Sequence, residues 1–103
     1  DFDAFLARVG RERPDLPPAL LCRLAQAYGT RIDALLGDAA TLADLGEDIG
    51  GGLTVREVDY LVAHEWARTA EDVLWRRSKL GLHVPADTAE RLAARLERGA
   101  LSR

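Results

Sequence analysis

The side chains that could do chemistry are few, and their spacing works against it. His64-Glu65 opens like the zinc-protease pattern HExxH, but the second histidine position holds Arg68, a cation that cannot ligate zinc. The other histidine, His83, lies in a different segment, and Cys22 has no CxxC partner. Cys22 sits among Leu20, Leu21 and Leu24, the setting of a small core residue and not of a stabilised thiolate. Ser78 and Ser102 lack the elbow context of a nucleophilic serine. Gly50-Gly51-Gly52 could turn backbone amides towards an anion ahead of a helix, yet no Lys-Ser/Thr follows and GxGxxG is absent. The run reads as a flexible connection. No catalytic, cofactor-binding or metal-binding residue is therefore expected in this chain.

The most informative stretch runs from Thr54 to Leu82, two amphipathic helices joined at Ala67-Arg68-Thr69. As a helix-turn-helix it would present Trp75, Arg76, Arg77 and Lys79 to DNA. Glu71 and Asp72 oppose that reading, because they fill the first turn of the second helix and would face phosphates. Asp72 also stands one helical step before Arg76, so an ordinary ion pair can explain part of the basic cluster. Planar guanidiniums and aromatic rings are equally typical of protein interfaces. Tyr60, Trp66, Arg68, Trp75, Arg76 and Arg77 form a candidate interface with another domain, which requires the two indoles to be exposed.

The elements that must position these residues are helical. The chain has 103 residues, enough for a single domain over 1–103. Hydrophobic residues make up 48% and charged residues 30%, the composition of a globular protein. Ala, Leu and Arg dominate, all strong helix formers. A net charge of -3 gives no general attraction to nucleic acid or anionic lipid. One cysteine cannot form an internal disulfide. No apolar run approaches the roughly 20 residues of a membrane span, and direct membrane insertion is not expected. Absence of Met fits a piece of a longer protein.

Helix punctuation is clear. A first helix is predicted from Asp1 to Val9, stopped by Gly10, and a second from Pro17-Pro18 to about Ala27, stopped by Gly29. Thr30 is predicted to N-cap a third, ending at Gly37, while Thr41–Ile49 reads as a helical turn carrying Leu42 and Leu45. Thr54 and Glu57 form a capping box for a helix with Val55, Val58, Leu61, Val62 and Trp66 on one stripe. Thr69 restarts a helix that Gly81 ends; Asp87 caps the last, with Leu92 and Leu96 inward and Gly99 as stop. The fold class is all-α, a compact bundle of five or six short helices with no sheet.

The run from Glu57 to Val62, followed by His64 to Leu82 (HEWARTAEDVLWRRSKLGL), resembles the signature region of aerobic, FAD-dependent glycerol-3-phosphate dehydrogenases. Leu24 to Leu36, centred on Ala27-Tyr28-Gly29-Thr30, resembles a helix junction of that family. The resemblance implies the helical C-terminal domain of a flavoenzyme that oxidises sn-glycerol 3-phosphate to dihydroxyacetone phosphate and reduces quinone. An oxidase passing electrons to oxygen is a variant it does not separate. FAD would belong to an N-terminal domain, the expected partner of this chain, and no family catalytic residue maps onto these positions. A cytoplasmic location, a parent peripheral on the inner face of the cytoplasmic membrane, and room for a homodimer through the parent follow from the same resemblance. The alternative is a free-standing helical binding module of helix-turn-helix type; otherwise no nucleic-acid partner is expected.

Overall fold

The computed structural model describes residues 1–77 and 84–101. The chain divides into two units, Asp1–Gly46 and Glu47–Arg103.

In the first unit, Asp1 caps helix α1 (Phe2–Glu12): its Oδ1 accepts from the Ala4 amide at 2.8 Å. The helix does not stop at Gly10. A glycine ends a helix when it turns left-handed, and Gly10 does not take a positive φ. The stop comes at Arg13, whose amide donates to the Val9 carbonyl and whose guanidinium donates to the carbonyls of Ala39 (2.7 Å) and Gly37 (3.0 Å). Along the exposed side, Arg8 pairs with Glu12 at 2.7 Å and Asp33 at 3.4 Å. The Glu12 hydrogen bond raises the Arg8 guanidinium above its ordinary pKa, against a smaller opposing effect of desolvation.

Helix α2 (Pro18–Tyr28) starts behind Pro17 and ends at Gly29, where φ is +56°. Its buried side is Leu21, Leu24, Ala25 and Tyr28; Leu20 and Cys22 are half-buried. Thr30 caps nothing, because a tight turn over Gly29–Arg31 runs directly into α3 (Ile32–Leu36). Gly37, again at φ +56°, ends α3 after it has buried Ile32, Leu35 and Leu36. α2 packs on both α1 and α3. The expected turn appears at Leu42–Leu45, held by a capping box in which Thr41 and Asp44 satisfy each other's amides.

The second unit opens with a small sheet, the one departure from an all-helical reading among the described residues. Strands β1 (Asp48–Gly50) and β2 (Leu53–Thr54) pair antiparallel, Asp48 opposite Thr54 and Gly50 opposite Leu53. Gly50-Gly51-Gly52 is the turn of this hairpin and not a loose connection. Asp48 Oδ1 accepts from the amides of Gly50 (2.8 Å) and Gly52 (3.2 Å), while Gly51 and Gly52 take φ of +61° and +89°, where other residues are strained. β2 leads into α4 (Val55–His64), with Thr54 as N-cap: its hydroxyl accepts from the Glu57 amide at 3.4 Å. α4 buries Val58 and Leu61. After a wide, π-type helical turn at Asp72–Arg77 comes α5 (Thr88–Leu101), which follows Asp87, buries Leu92 and runs through Gly99. The expected helix end at Gly81 and the features read at Ser78, Lys79, Leu80, Leu82, His83 and Ser102 lie outside the described residues.

β1 packs on α5 at very close range. A Cβ placed on Gly50 would meet Thr88, with its Cβ and Cγ2 both at 2.8 Å and its hydroxyl nearer still. Gly50→Ala is therefore expected to destabilise the fold by at least about 2 kcal/mol, since overpacking forces hairpin and helix apart. Thermal melting followed by circular dichroism checks this; an unchanged midpoint would mean the two backbones do not approach.

Candidate functional site

The stretch carrying the candidate interface begins on α4. Tyr60 is 8% exposed and lies against the His64 ring, 4.9 Å between centroids, so its ring belongs mostly to the interior. α4 ends where the Leu61 carbonyl accepts from two amides, those of Glu65 (3.0 Å) and Ala67 (3.1 Å). Between them stands Trp66 at φ +63°, the one non-glycine residue with positive φ among the described residues. Trp66 does not continue the apolar stripe of α4. Its left-handed backbone reverses the chain so that Ala67, 1% exposed, turns inward and the indole, 76% exposed, turns out. A bulky side chain in this region costs about 1–2 kcal/mol. The Arg68 guanidinium lies 5.9 Å from the indole centroid, within cation–π range.

Beyond Arg68 the chain is held by a reciprocal cap. Thr69 Oγ1 accepts from the Asp72 amide at 3.1 Å, and Asp72 Oδ2 accepts from the amides of Thr69 (3.2 Å) and Arg68 (3.0 Å). The Asp72 carboxylate thus points back at the backbone, a role the simple i, i+4 pairing with Arg76 did not anticipate. The turn that follows buries Val73 and Leu74 and leaves Trp75 52% exposed; Arg76 and Arg77 complete it. Both indoles are accessible, the condition that the candidate interface set. Thr69 as a cap implies that the preceding residues leave the helix, so a chain break near Trp66 was in principle legible; its left-handed conformation was not.

Among the described residues no group of three or more His, Cys, Asp or Glu side chains could hold a metal. No helix among them is long and apolar enough to cross a membrane. The glycine turn offers no dinucleotide cradle, because the amides of Gly50 and Gly52 already serve Asp48.

Residues 2–97 match the family described as the C-terminal domain of alpha-glycerophosphate oxidase. The chain belongs to this family. It is 55% identical over 78 residues to a glycerol-3-phosphate dehydrogenase of Pseudomonas aeruginosa, covering 76% of this chain and 15% of that protein. It is 44% identical over 93 residues to the aerobic glycerol-3-phosphate dehydrogenase of Escherichia coli, covering 90% of this chain and 19% of that protein. A D-erythritol 1-phosphate dehydrogenase of Brucella abortus is 40% identical over 93 residues, covering 90% of this chain and 18% of that protein. The chain thus spans less than a fifth of the length of these relatives. Neither the geometry of the Thr69–Arg77 segment nor these relatives supports the DNA-binding alternative.

The left-handed Trp66 inverts an ordinary rank order. At most exposed positions glycine is less stable than alanine, but here Trp66→Gly is expected to exceed Trp66→Ala by about 1 kcal/mol, because only glycine escapes the strain. Asp72→Ala should cost about 1 kcal/mol as a lost cap. Chemical denaturation of the three variants measures both, and an alanine variant more stable than the glycine one would contradict the assigned backbone.

Proposed function

We propose that residues 1–103 form the C-terminal accessory domain of an FAD-dependent sn-glycerol-3-phosphate dehydrogenase. That enzyme oxidises glycerol 3-phosphate to dihydroxyacetone phosphate and passes the electrons to quinone. The observation that carries this reading is the family match over residues 2–97, joined by identities of 44–55% to proteins named for that activity. The family description names an oxidase, but the relatives compared are named dehydrogenases, which favours quinone over oxygen as acceptor. FAD supplies the redox chemistry from the N-terminal part of the parent. This chain binds neither flavin nor substrate at its catalytic centre and is inert alone.

Its role in that enzyme is to dock. Trp66, Arg68 and Trp75, followed in the chain by Arg76 and Arg77, form the face that meets the FAD-binding domain; Tyr60 supports it from α4. Two exposed indoles motivate the assignment, together with a tryptophan held in a conformation the chain itself disfavours. A relative named for D-erythritol 1-phosphate carries a matching domain, which fits a part whose task is common to enzymes acting on different polyol phosphates. The parent is cytoplasmic, held peripherally on the inner face of the cytoplasmic membrane, and dimerises through its other parts.

In the full-length protein, bound flavin and glycerol 3-phosphate-dependent reduction of a quinone analogue are expected, whereas the chain alone is colourless and without turnover. Hydrogen exchange tests the docking face directly. Amides from Glu65 to Trp75 should exchange at least tenfold more slowly in the full-length protein than in the isolated chain. Trp66→Ala with Trp75→Ala should remove most of that difference, the pair being worth about 2–4 kcal/mol as interface anchors. Equal exchange in both contexts would place the docking face elsewhere.

A further inference from the structure

Helix α5 carries Arg91, Arg95 and Arg98 at i, i+4 and i+7, so the three guanidiniums share one side of the helix. That side borders the glycine hairpin, and a cleft of about 340 Å3 lies between them. Ile49, Val55 and Ala94 contribute apolar surface to it, and Glu47 is the one carboxylate among the described lining residues.

The protein does not use up the donors of Arg91 and Arg95. Arg91 donates through Nη2 alone, to the Asp48 carbonyl at 3.1 Å and to Glu47 Oε1 at 3.5 Å. Arg95 likewise donates only through Nη2, to the two oxygens of Asp59 at 3.4 and 3.5 Å. Among the described residues, Nε and Nη1 of both side chains make no hydrogen bond within the protein. Their carboxylate contacts are long compared with the roughly 2.7–2.9 Å of a strong charge-assisted bond, and the paired side chains are 37–64% exposed. Such pairs tether the guanidiniums without neutralising them. The result is a positive recess in a chain whose net charge is -3.

The geometry points to an oxyanion site in this cleft, taking inorganic phosphate or a small phosphate monoester. A tetrahedral phosphate can accept from several planar guanidinium forks at once, which a single surface carboxylate cannot match. The apolar patch of Ile49, Val55 and Ala94 suits a short carbon stem, and the volume falls within the roughly 300–1,000 Å3 typical of small-molecule sites. Concavity favours a small anion over a flat anionic membrane.

Nuclear magnetic resonance titration of the isotope-labelled chain with sodium phosphate, against sodium chloride at matched ionic strength, tests the site. Saturable shifts are expected at the amides of Glu47–Ile49 and Arg91–Arg98. Arg95→Gln should weaken the phosphate affinity at least tenfold, Arg98→Gln should weaken it to a similar extent, and Arg95→Lys should fall between Arg95→Gln and the unchanged chain. A parallel titration with vesicles of phosphatidylglycerol in phosphatidylcholine separates the sources. Phosphate binding with no vesicle binding supports the proposal. Vesicle binding without saturable phosphate shifts overturns it in favour of a membrane surface. Shifts that chloride reproduces, or that persist when Arg95→Gln and Arg98→Gln are combined in a folded chain, overturn it as well.

Discussion

The carboxylate of Asp48 is the constraint on which the second unit depends. By accepting from the amides of Gly50 and Gly52 it closes three glycines into a fixed turn, although glycine is the residue with most conformational freedom to lose. Two consequences follow from that closure. β2 enters α4 in the register that makes Thr54 its cap, which sets where the helix begins and hence which residues it buries. β1 meets α5 at Gly50, where no side chain separates the backbone from Thr88, and that approach lines the hairpin up beside the arginines of α5. The Thr88 hydroxyl is buried there without a hydrogen-bond partner among the described residues, a further cost of so close a contact.

At the other end of α4 the same unit carries strain outward. The chain could have left the helix through a glycine, as it does at Gly29 and Gly37. It leaves through Trp66, accepting a left-handed backbone and a largely exposed indole in one residue. Neither is favourable for the chain by itself, and the buried Ala67 and the Thr69–Asp72 cap hold the conformation in place from the far side. Such an arrangement makes physical sense when the ring has somewhere to go. The docking role proposed for this segment would give it such a place.

Arginine serves three different purposes along this acidic chain. Arg13 braces backbone carbonyls in the first unit, and Arg68 lies over an indole. Arg91 and Arg95 are tethered by one nitrogen each and line the cleft beside the hairpin. The guanidinium permits all three because it combines a permanent charge with several donors and a flat face. The same side chain thus serves backbone bracing, an aromatic contact and the lining of a cleft within one small chain.

Much of the architecture was legible from local chemistry. Pro18 and Gly29 bound α2, Thr54 starts α4, and Thr69 with Asp72 restarts the chain after it, because caps and left-handed stops are decided within a few residues. Leu21, Leu24, Val58, Leu61 and Leu92 were legible as core for the same reason, through helical periodicity. Local pattern fails where glycine or an aromatic ring has two permitted fates. Gly10 and Gly99 pass inside helices; Gly50 to Gly52 form a hairpin turn; Tyr60 turns inward while Trp66 turns out. The sequence by itself determined most of the helices and the resemblance to the family. Only the tertiary structure decided the meeting of the hairpin with α5, the left-handed Trp66 and the arginine cleft, since each depends on backbones meeting across tens of residues or on a local strain that packing sustains.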